Sequence, residues 1–206
     1  MSTRGKFVTI EGCDGCGKST QLAMLSEALG RRGIPCLFTR EPGGSRIAER
    51  IREMLLDPAN VEMTDECEAL LYAAARVQHL REKVIPALEE GKLVVCDRYV
   101  DSSYAYQGEA RGLGYEAVKA INRYALAPDV TIFLDLSPKE AFLRKHGADA
   151  GDRLESAGEA FHEKVYRGYL RIAEKEPGRF LCIDARKTPE KIHEEILSVL
   201  TERGVL

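Results

Sequence analysis

One stretch limits what this chain can fold into more than any other. Gly12-Cys13-Asp14-Gly15-Cys16-Gly17-Lys18-Ser19 matches the pattern G-x-x-x-x-G-K-[ST]. It follows the apolar, β-rich run Phe7 to Ile10 and precedes Leu22, Leu25 and Leu29 at helical spacing. A strand, a glycine-rich turn and a helix in that order make a phosphate cradle. The glycines let backbone N–H groups wrap around phosphate oxygens, and the helix aims its partly positive N-terminus at them. The loop and Thr20 are therefore expected to hold the phosphates of a nucleoside triphosphate, with Lys18 on the β- and γ-phosphates. The Ser19 hydroxyl is expected in the shell of a Mg²⁺ ion.

Four further apolar runs resemble the first: Ile34 to Thr39, Leu93 to Cys96, Val130 to Leu134 and Phe180 to Ile183. Between them lie helical spacings, among them Ile47, Ile51 and Leu55, and then Leu70, Leu71, Val77, Leu80 and Val84. Strands alternating with helices imply crossover connections and a parallel sheet covered on both faces. The expected architecture is the P-loop NTPase fold, a three-layer α/β/α arrangement with a five-stranded parallel sheet. At 206 residues and 44% hydrophobic content the chain reads as one domain spanning residues 1–206.

A net charge of −3, from 30 basic and 33 acidic side chains, gives no general reason to bind a nucleic acid polymer or an anionic membrane. No apolar run approaches the roughly eighteen residues of a membrane span, and Met1 to Lys6 lacks the apolar core of a signal peptide. The expected location is cytoplasmic. The six cysteines, several in apolar runs, suit a reducing compartment. Cys13 and Cys16 form a C-x-x-C that no second pair completes as a metal site.

The run Leu93 to Cys96 ends in Asp97-Arg98-Tyr99, which puts a carboxylate and a guanidinium at the carboxyl end of a buried strand, where open α/β sheets bind ligands. Asp97 there suits Mg²⁺ or its waters, and Arg98 suits a phosphate gripped by a bidentate fork. A structural ion pair at a strand end is the alternative.

With these segments in view, the sequence resembles the thymidylate kinases of the bacterial kind over essentially its whole length. The resemblance rests on the Asp14 loop, Thr39-Arg40-Glu41-Pro42-Gly43-Gly44, Leu71-Tyr72-Ala73-Ala74-Ala75-Arg76, Asp97-Arg98-Tyr99, and Asp101-Ser102-Ser103-Tyr104-Ala105-Tyr106-Gln107-Gly108, in that order. It implies ATP as donor, dTMP as acceptor and a homodimer joined through apolar helix faces that include part of Ala69 to Leu88. It implies that Asp14 accepts a hydrogen bond from the acceptor sugar and that Arg40 and Arg98 hold its phosphate. Tyr72 would stack on the base, Arg76 would donate to its O4, Ser103 and Gln107 would complete its edge, and Ser102 would join the substrate-binding residues. Pro42 and Arg52 join the pocket, and Tyr106 forms a wall under the sugar that disfavours a 2′-hydroxyl. Helical spacing lets only one of Tyr104 and Tyr106 face that pocket.

One class of these enzymes carries an arginine directly after the loop aspartate, where this chain has Gly15. The resemblance therefore implies that the charge comes from a mobile lid over about residues 144–155, with Arg153 as the catalytic arginine and Arg144 as its helper; His146 to Asp152 reads as the mobile part. Two other readings stay open on the sequence. A deoxynucleoside kinase would need a base to deprotonate a hydroxyl, and a nucleotide switch would need the loop but no acceptor pocket.

Overall fold

The apolar runs become β1 (Phe7–Glu11), β2 (Cys36–Arg40), β3 (Leu93–Asp97), β4 (Val130–Asp135) and β5 (Phe180–Asp184). All pair in parallel, in the order β2-β3-β1-β4-β5, with Ile10 opposite both Asp97 and Ile132. These come from a computed structural model that describes residues 4–145, 153–154 and 157–206, Lys145 by its backbone alone.

Alternation along the strands sorts side chains onto two faces. Val8, Ile10, Val95, Ile132 and Leu134 meet Leu25 and Leu29 of α1 (Lys18–Arg31) and Ile192, Ile196 and Leu200 of α9 (Pro189–Glu202). On the other face Phe7, Val94 and Cys96 pack on Leu80, Val84 and Leu88, while Phe133 packs on Tyr169 and Ile172 of α8 (Glu159–Lys175). Helices on both faces make the expected three layers, and each fully buried leucine or phenylalanine contributes about 1.5–3 kcal/mol.

The remaining helices carry or brace the site. Between β2 and β3 run α2 (Arg46–Leu56) and α3 (Asp65–His79). The Thr64 hydroxyl caps α3 by accepting from the Cys67 N–H, and Asp65, Glu66 and Glu68 suit its positive end. A π-helical turn, Leu80–Val84, leads to α4 (Ile85–Glu89); it absorbs Pro86, whose ring and missing N–H would break regular α pairing. After β3, α5 (Val100–Ser103) widens into a second π-helical stretch, Tyr104–Ala110, followed by α6 (Tyr115–Ile121) and, past β4, α7 (Pro138–Lys145). Helix α8 crosses this π stretch so closely that a Cβ on Gly168 would lie 2.8 Å from Ala105 Cα.

Candidate active site

The carboxyl ends of β1 and β3 converge on one side of the sheet, and the loop from Gly12 to Gly17 joins β1 to α1 there. Gly12 adopts φ 146°, and a Cβ on it would lie 2.6 Å from the Cys16 sulfur, so only glycine fits. Gly15, at φ 88°, has the Ala141 carbonyl oxygen 2.5 Å from where a Cβ would stand, which ties the loop to α7. Lys18 opens α1 and folds back across the loop. Its Nζ donates to the Gly12 and Cys13 carbonyls at 3.0 and 3.1 Å and stands 3.5 Å from Asp14 Oδ1. The first N–H groups of α1 have no partners within the helix and are available to an anion. Cys13 and Cys16 are buried free thiols. Burial, and the neighbouring Cys16, push the Cys13 thiol up to about 12, and burial raises Cys16 as well. Both thus stay protonated at neutral pH.

A cavity of about 420 Å³ opens beside the loop. The expected residues Asp14, Gly15, Gly17, Lys18, Ser19 and Thr20 line its loop side. Arg40, Arg52, Tyr72, Asp97, Arg98, Ser102, Ser103, Tyr106 and Gln107 line the rest. Gly12, Cys13 and Cys16, on the same loop, are buried and lie outside this lining. Tyr106 faces the cavity while Tyr104 turns onto Tyr115, 4.6 Å between ring centroids, so the two tyrosines divide as helical spacing requires.

Arg98 is the centre of the cavity's charge. It is a non-glycine residue at φ 61°, a left-handed conformation that side chains rarely adopt without surrounding support. That support is specific: its N–H donates to the Ile10 carbonyl at 2.9 Å, and the next N–H, of Tyr99, donates to Glu11 Oε1 at 2.7 Å. The guanidinium donates to Asp14 Oδ1 at 2.7 Å and to the Tyr169 and Ser102 hydroxyls at 3.3 and 3.4 Å, with its carbon 5.4 Å from the Tyr106 ring centroid. Burial opposes its charge, but Asp14, with Tyr106, Tyr169 and Asp97 behind it, together outweigh that and hold it firmly protonated.

Glu11, which sequence reasoning passed over, anchors this group from below. It is fully buried, and its Oε2 accepts from the Ser102 hydroxyl at 2.7 Å and the Tyr169 hydroxyl at 2.8 Å. Burial, with the Asp101 charge behind it, raises its carboxyl to about 7. An acid closing an otherwise apolar strand one residue before the loop was the available signal.

Around the rim, Arg40 pairs with Glu49 at 2.9 Å, and Arg52 donates to the Pro42 carbonyl at 2.9 Å, so Pro42 shapes the rim through its backbone and lies outside the lining. Asp97 Oδ1 and Ser103 Oγ are buried with no hydrogen-bond partner among the described residues.

Three arginines expected at the site are held by groups of the protein itself. Arg76 is not part of the cavity lining: it is 2% exposed, donating to Glu41 Oε2 at 2.8 Å, to the Tyr99 carbonyl at 3.2 Å and to Asn122 Oδ1. The buried Glu41 carboxylate, which also bonds His79 Nδ1 at 2.9 Å, needs that compensation. Arg153 donates to the Leu55 carbonyl at 3.0 Å and to Glu68 Oε2 at 2.5 Å, and Leu154 beside it roofs the cavity. Arg144 donates to the Ala185 carbonyl at 2.8 Å. The stretch expected to act as a lid, His146 to Asp152, and Glu155 lie outside the described residues.

A parallel sheet of this strand order, with a lysine-bearing glycine loop between β1 and α1, defines a nucleotide-binding protein of the P-loop class. The arginine-rich cavity beside the loop has the form of an acceptor site in a phosphotransferase. The model of the family described as thymidylate kinase matches residues 10–196, and the chain belongs to that family. It is 46% identical to a thymidylate kinase of Thermoanaerobacter sp. (strain X514), over 96% of this chain and 98% of that one. To a thymidylate kinase of Lactobacillus helveticus (strain DPC 4571) it is 50% identical over 97% of each. The crystal structure of thymidylate kinase from Ehrlichia chaffeensis superposes with a TM-score of 0.78 at 30% identity, covering 96% of this chain and 99% of that one.

Proposed function

We infer that the chain transfers the γ-phosphoryl group of ATP to dTMP, giving dTDP and ADP. The observation that carries this reading is Asp14, whose one carboxylate oxygen lies 2.7 Å from Arg98 in the acceptor cavity and 3.5 Å from Lys18 of the phosphate loop. The cation expected to hold the acceptor phosphate and the cation expected to hold the donor phosphates thus meet at one point.

The acceptor is a phosphate monoester with a second pKa near 6, largely dianionic at neutral pH. One of its oxygens attacks the γ-phosphorus, the bond to the β–γ bridging oxygen breaks, and ADP leaves with that electron pair. No general base is required, so the protein's work is alignment and charge neutralisation. Lys18 exchanges its two carbonyl partners for phosphate oxygens. Arg98, with Arg40 at the rim, takes the acceptor phosphate while Asp14 turns to the sugar hydroxyl. Tyr72, Ser103 and Gln107 meet the base, Tyr106 lies under the sugar, and Ser102 holds Arg98 from Glu11. Arg52 and Pro42 shape the rim, and Arg76 orders the Glu41 turn from behind it.

The orphaned Asp97 Oδ1 and the Ser19 hydroxyl on the same cavity are oxygen donors that fit Mg²⁺. When bound, that ion would neutralise charge on the donor phosphates. We assign residues 1–206 to one catalytic domain whose lid, about 144–155, brings Arg153 with Arg144 to the transferring group and excludes water. Ile47 and Met54 on α2 and Leu70 on α3 are exposed apolar side chains that support a homodimer through these helices. No helix among the described residues is long and apolar enough to cross a membrane, and a cytoplasmic enzyme is the reading we adopt.

ADP release with Mg-ATP, measured against a panel of acceptors, tests the proposal. It predicts dTMP first, dUMP weaker and purine monophosphates negligible, with thymidine itself inert. Thymidine turned over as fast as dTMP would indicate a nucleoside kinase, and no turnover or binding of dTMP at millimolar levels would indicate a switch protein.

A further inference from the structure

Glu68 sits in the first turn of α3, fully buried, with donors converging on it from two segments, the π-helical stretch with its C-cap Arg111 and the stretch at Arg153. Its Oε1 accepts from Gln107 Nε2 at 2.9 Å and from Arg111 Nε at 3.3 Å. Its Oε2 accepts from Arg111 at 2.9 Å and from Arg153 at 2.5 Å. Burial alone would raise its pKa, but the Arg111, Gln107 and Arg153 hydrogen bonds hold it below the ordinary value. It is therefore an anion at neutral pH, and an ionised carboxylate only accepts.

That settles the Gln107 amide. The NH₂ end must face Glu68, so the carbonyl end, Oε1, faces the other way, on a side chain that lines the cavity. Gln107 is 1% exposed, so it has no room to swing into solvent. Oε1 accepts no hydrogen bond from any described residue. A thymine or uracil ring presents an N3–H donor between two carbonyl acceptors. Cytosine presents a bare N3 lone pair beside an amino group. A fixed carbonyl pairs with the first and meets the second lone pair to lone pair.

We propose that Glu68 is a positioning residue for acceptor specificity: by anchoring the Gln107 amide it presents a fixed acceptor to the base and selects the N3–H of an imide pyrimidine against cytosine. This rests on the function proposed above. With Gln at position 68 the two amides pair in either sense, and Gln107 turns its NH₂ to the base at little cost.

The test compares kcat/KM for dTMP, dUMP and dCMP in the wild type, Glu68→Gln, and the control Asp65→Asn, which touches Arg111 (3.3 Å) but not Gln107. Where wild-type turnover of dCMP falls below detection, titration Kd values supply the ratio. We expect Glu68→Gln to shrink the dTMP:dCMP preference roughly tenfold or more. The dTMP:dUMP ratio should stay unchanged, since both bases carry the imide, and Asp65→Asn should move neither ratio. A purely structural role, with Glu68 only balancing Arg111 and Arg153, would lower all acceptors by one common factor, and that result overturns the proposal. Should Glu68→Gln fail to fold with two uncompensated arginines, the charge-balanced Glu68→Gln/Arg111→Gln pair takes its place under the same expectation. A wild type that phosphorylates none of the three overturns the function itself, whereas an active wild type with unmoved ratios overturns only the role of Glu68.

Discussion

Arg98→Ala is the substitution whose consequences follow most directly from the site. The guanidinium lies 2.7 Å from Asp14 and within 3.4 Å of two hydroxyls, so its fork is preset before any ligand arrives. A phosphate taking that fork gains two charge-assisted hydrogen bonds of about 1.5–3 kcal/mol each. Two unit charges about 4 Å apart near a protein surface interact by about 4 kcal/mol. The bonds and the Coulomb term overlap, so we take about 3–4 kcal/mol as the loss, or about 10²–10³ in kcat/KM for dTMP. Coupled ADP release with dTMP varied at saturating Mg-ATP measures it. The KM for ATP should move little, because the fork faces the acceptor side. Arg98→Lys keeps the charge but loses the planar fork and should recover only part of the loss. If Arg98→Ala retained kcat/KM for dTMP within about threefold, the assignment of the acceptor phosphate to this guanidinium would be refuted.

Other substitutions probe separate links. Arg153→Ala should slow single-turnover phosphoryl transfer by about two to four orders of magnitude at saturating substrates; a change of only a few-fold would remove Arg153 from the chemistry. Glu11 has its pKa raised from 4.5 to about 7, so its protonated form suits the fold. The associated stability is present in full below pH 4.5 and is lost as pH rises through 7, about 3 kcal/mol over that window. Urea unfolding at pH 5 and pH 8 should show that slope in the wild type and its loss in Glu11→Gln; parallel pH profiles would contradict it. Gly168→Ala forces a Cβ to within 2.8 Å of Ala105 Cα and should cost about 1–3 kcal/mol in thermal or urea unfolding. An unchanged midpoint would mean that α8 and the π-helical stretch slide apart freely.

The fold was legible because its signals are local. Each of the five strands is a short β-rich run, and the loop from Gly12 to Ser19 names its own geometry. The boundaries moved slightly: the run at Ile34 enters the sheet only at Cys36, past Pro35. The π-helical stretch at Tyr104–Ala110 was not legible, since residue spacing distinguishes poorly between a regular and a widened turn. Within the site, residues on the loop and on Asp97-Arg98-Tyr99 came from sequence because the ends of strands put them there. Arg76 illustrates the opposite case. Its surroundings, Glu41, Asn122 and the Tyr99 carbonyl, come from three distant segments, and no spacing along the chain reports them. Glu68 reads from sequence as one more helix-starting acid, and only the fold brings Gln107, Arg111 and Arg153 around it.

The central claim is that two nucleotides meet end to end between Lys18 and Arg98. A crystal structure with dTMP and a non-hydrolysable ATP analogue tests it most directly. The account predicts the acceptor phosphate on Arg98, the donor's terminal phosphate on Lys18, and the thymine beside Gln107 and Ser103. A dTMP bound with its phosphate away from Arg98, or its base outside the Gln107 pocket, would contradict it.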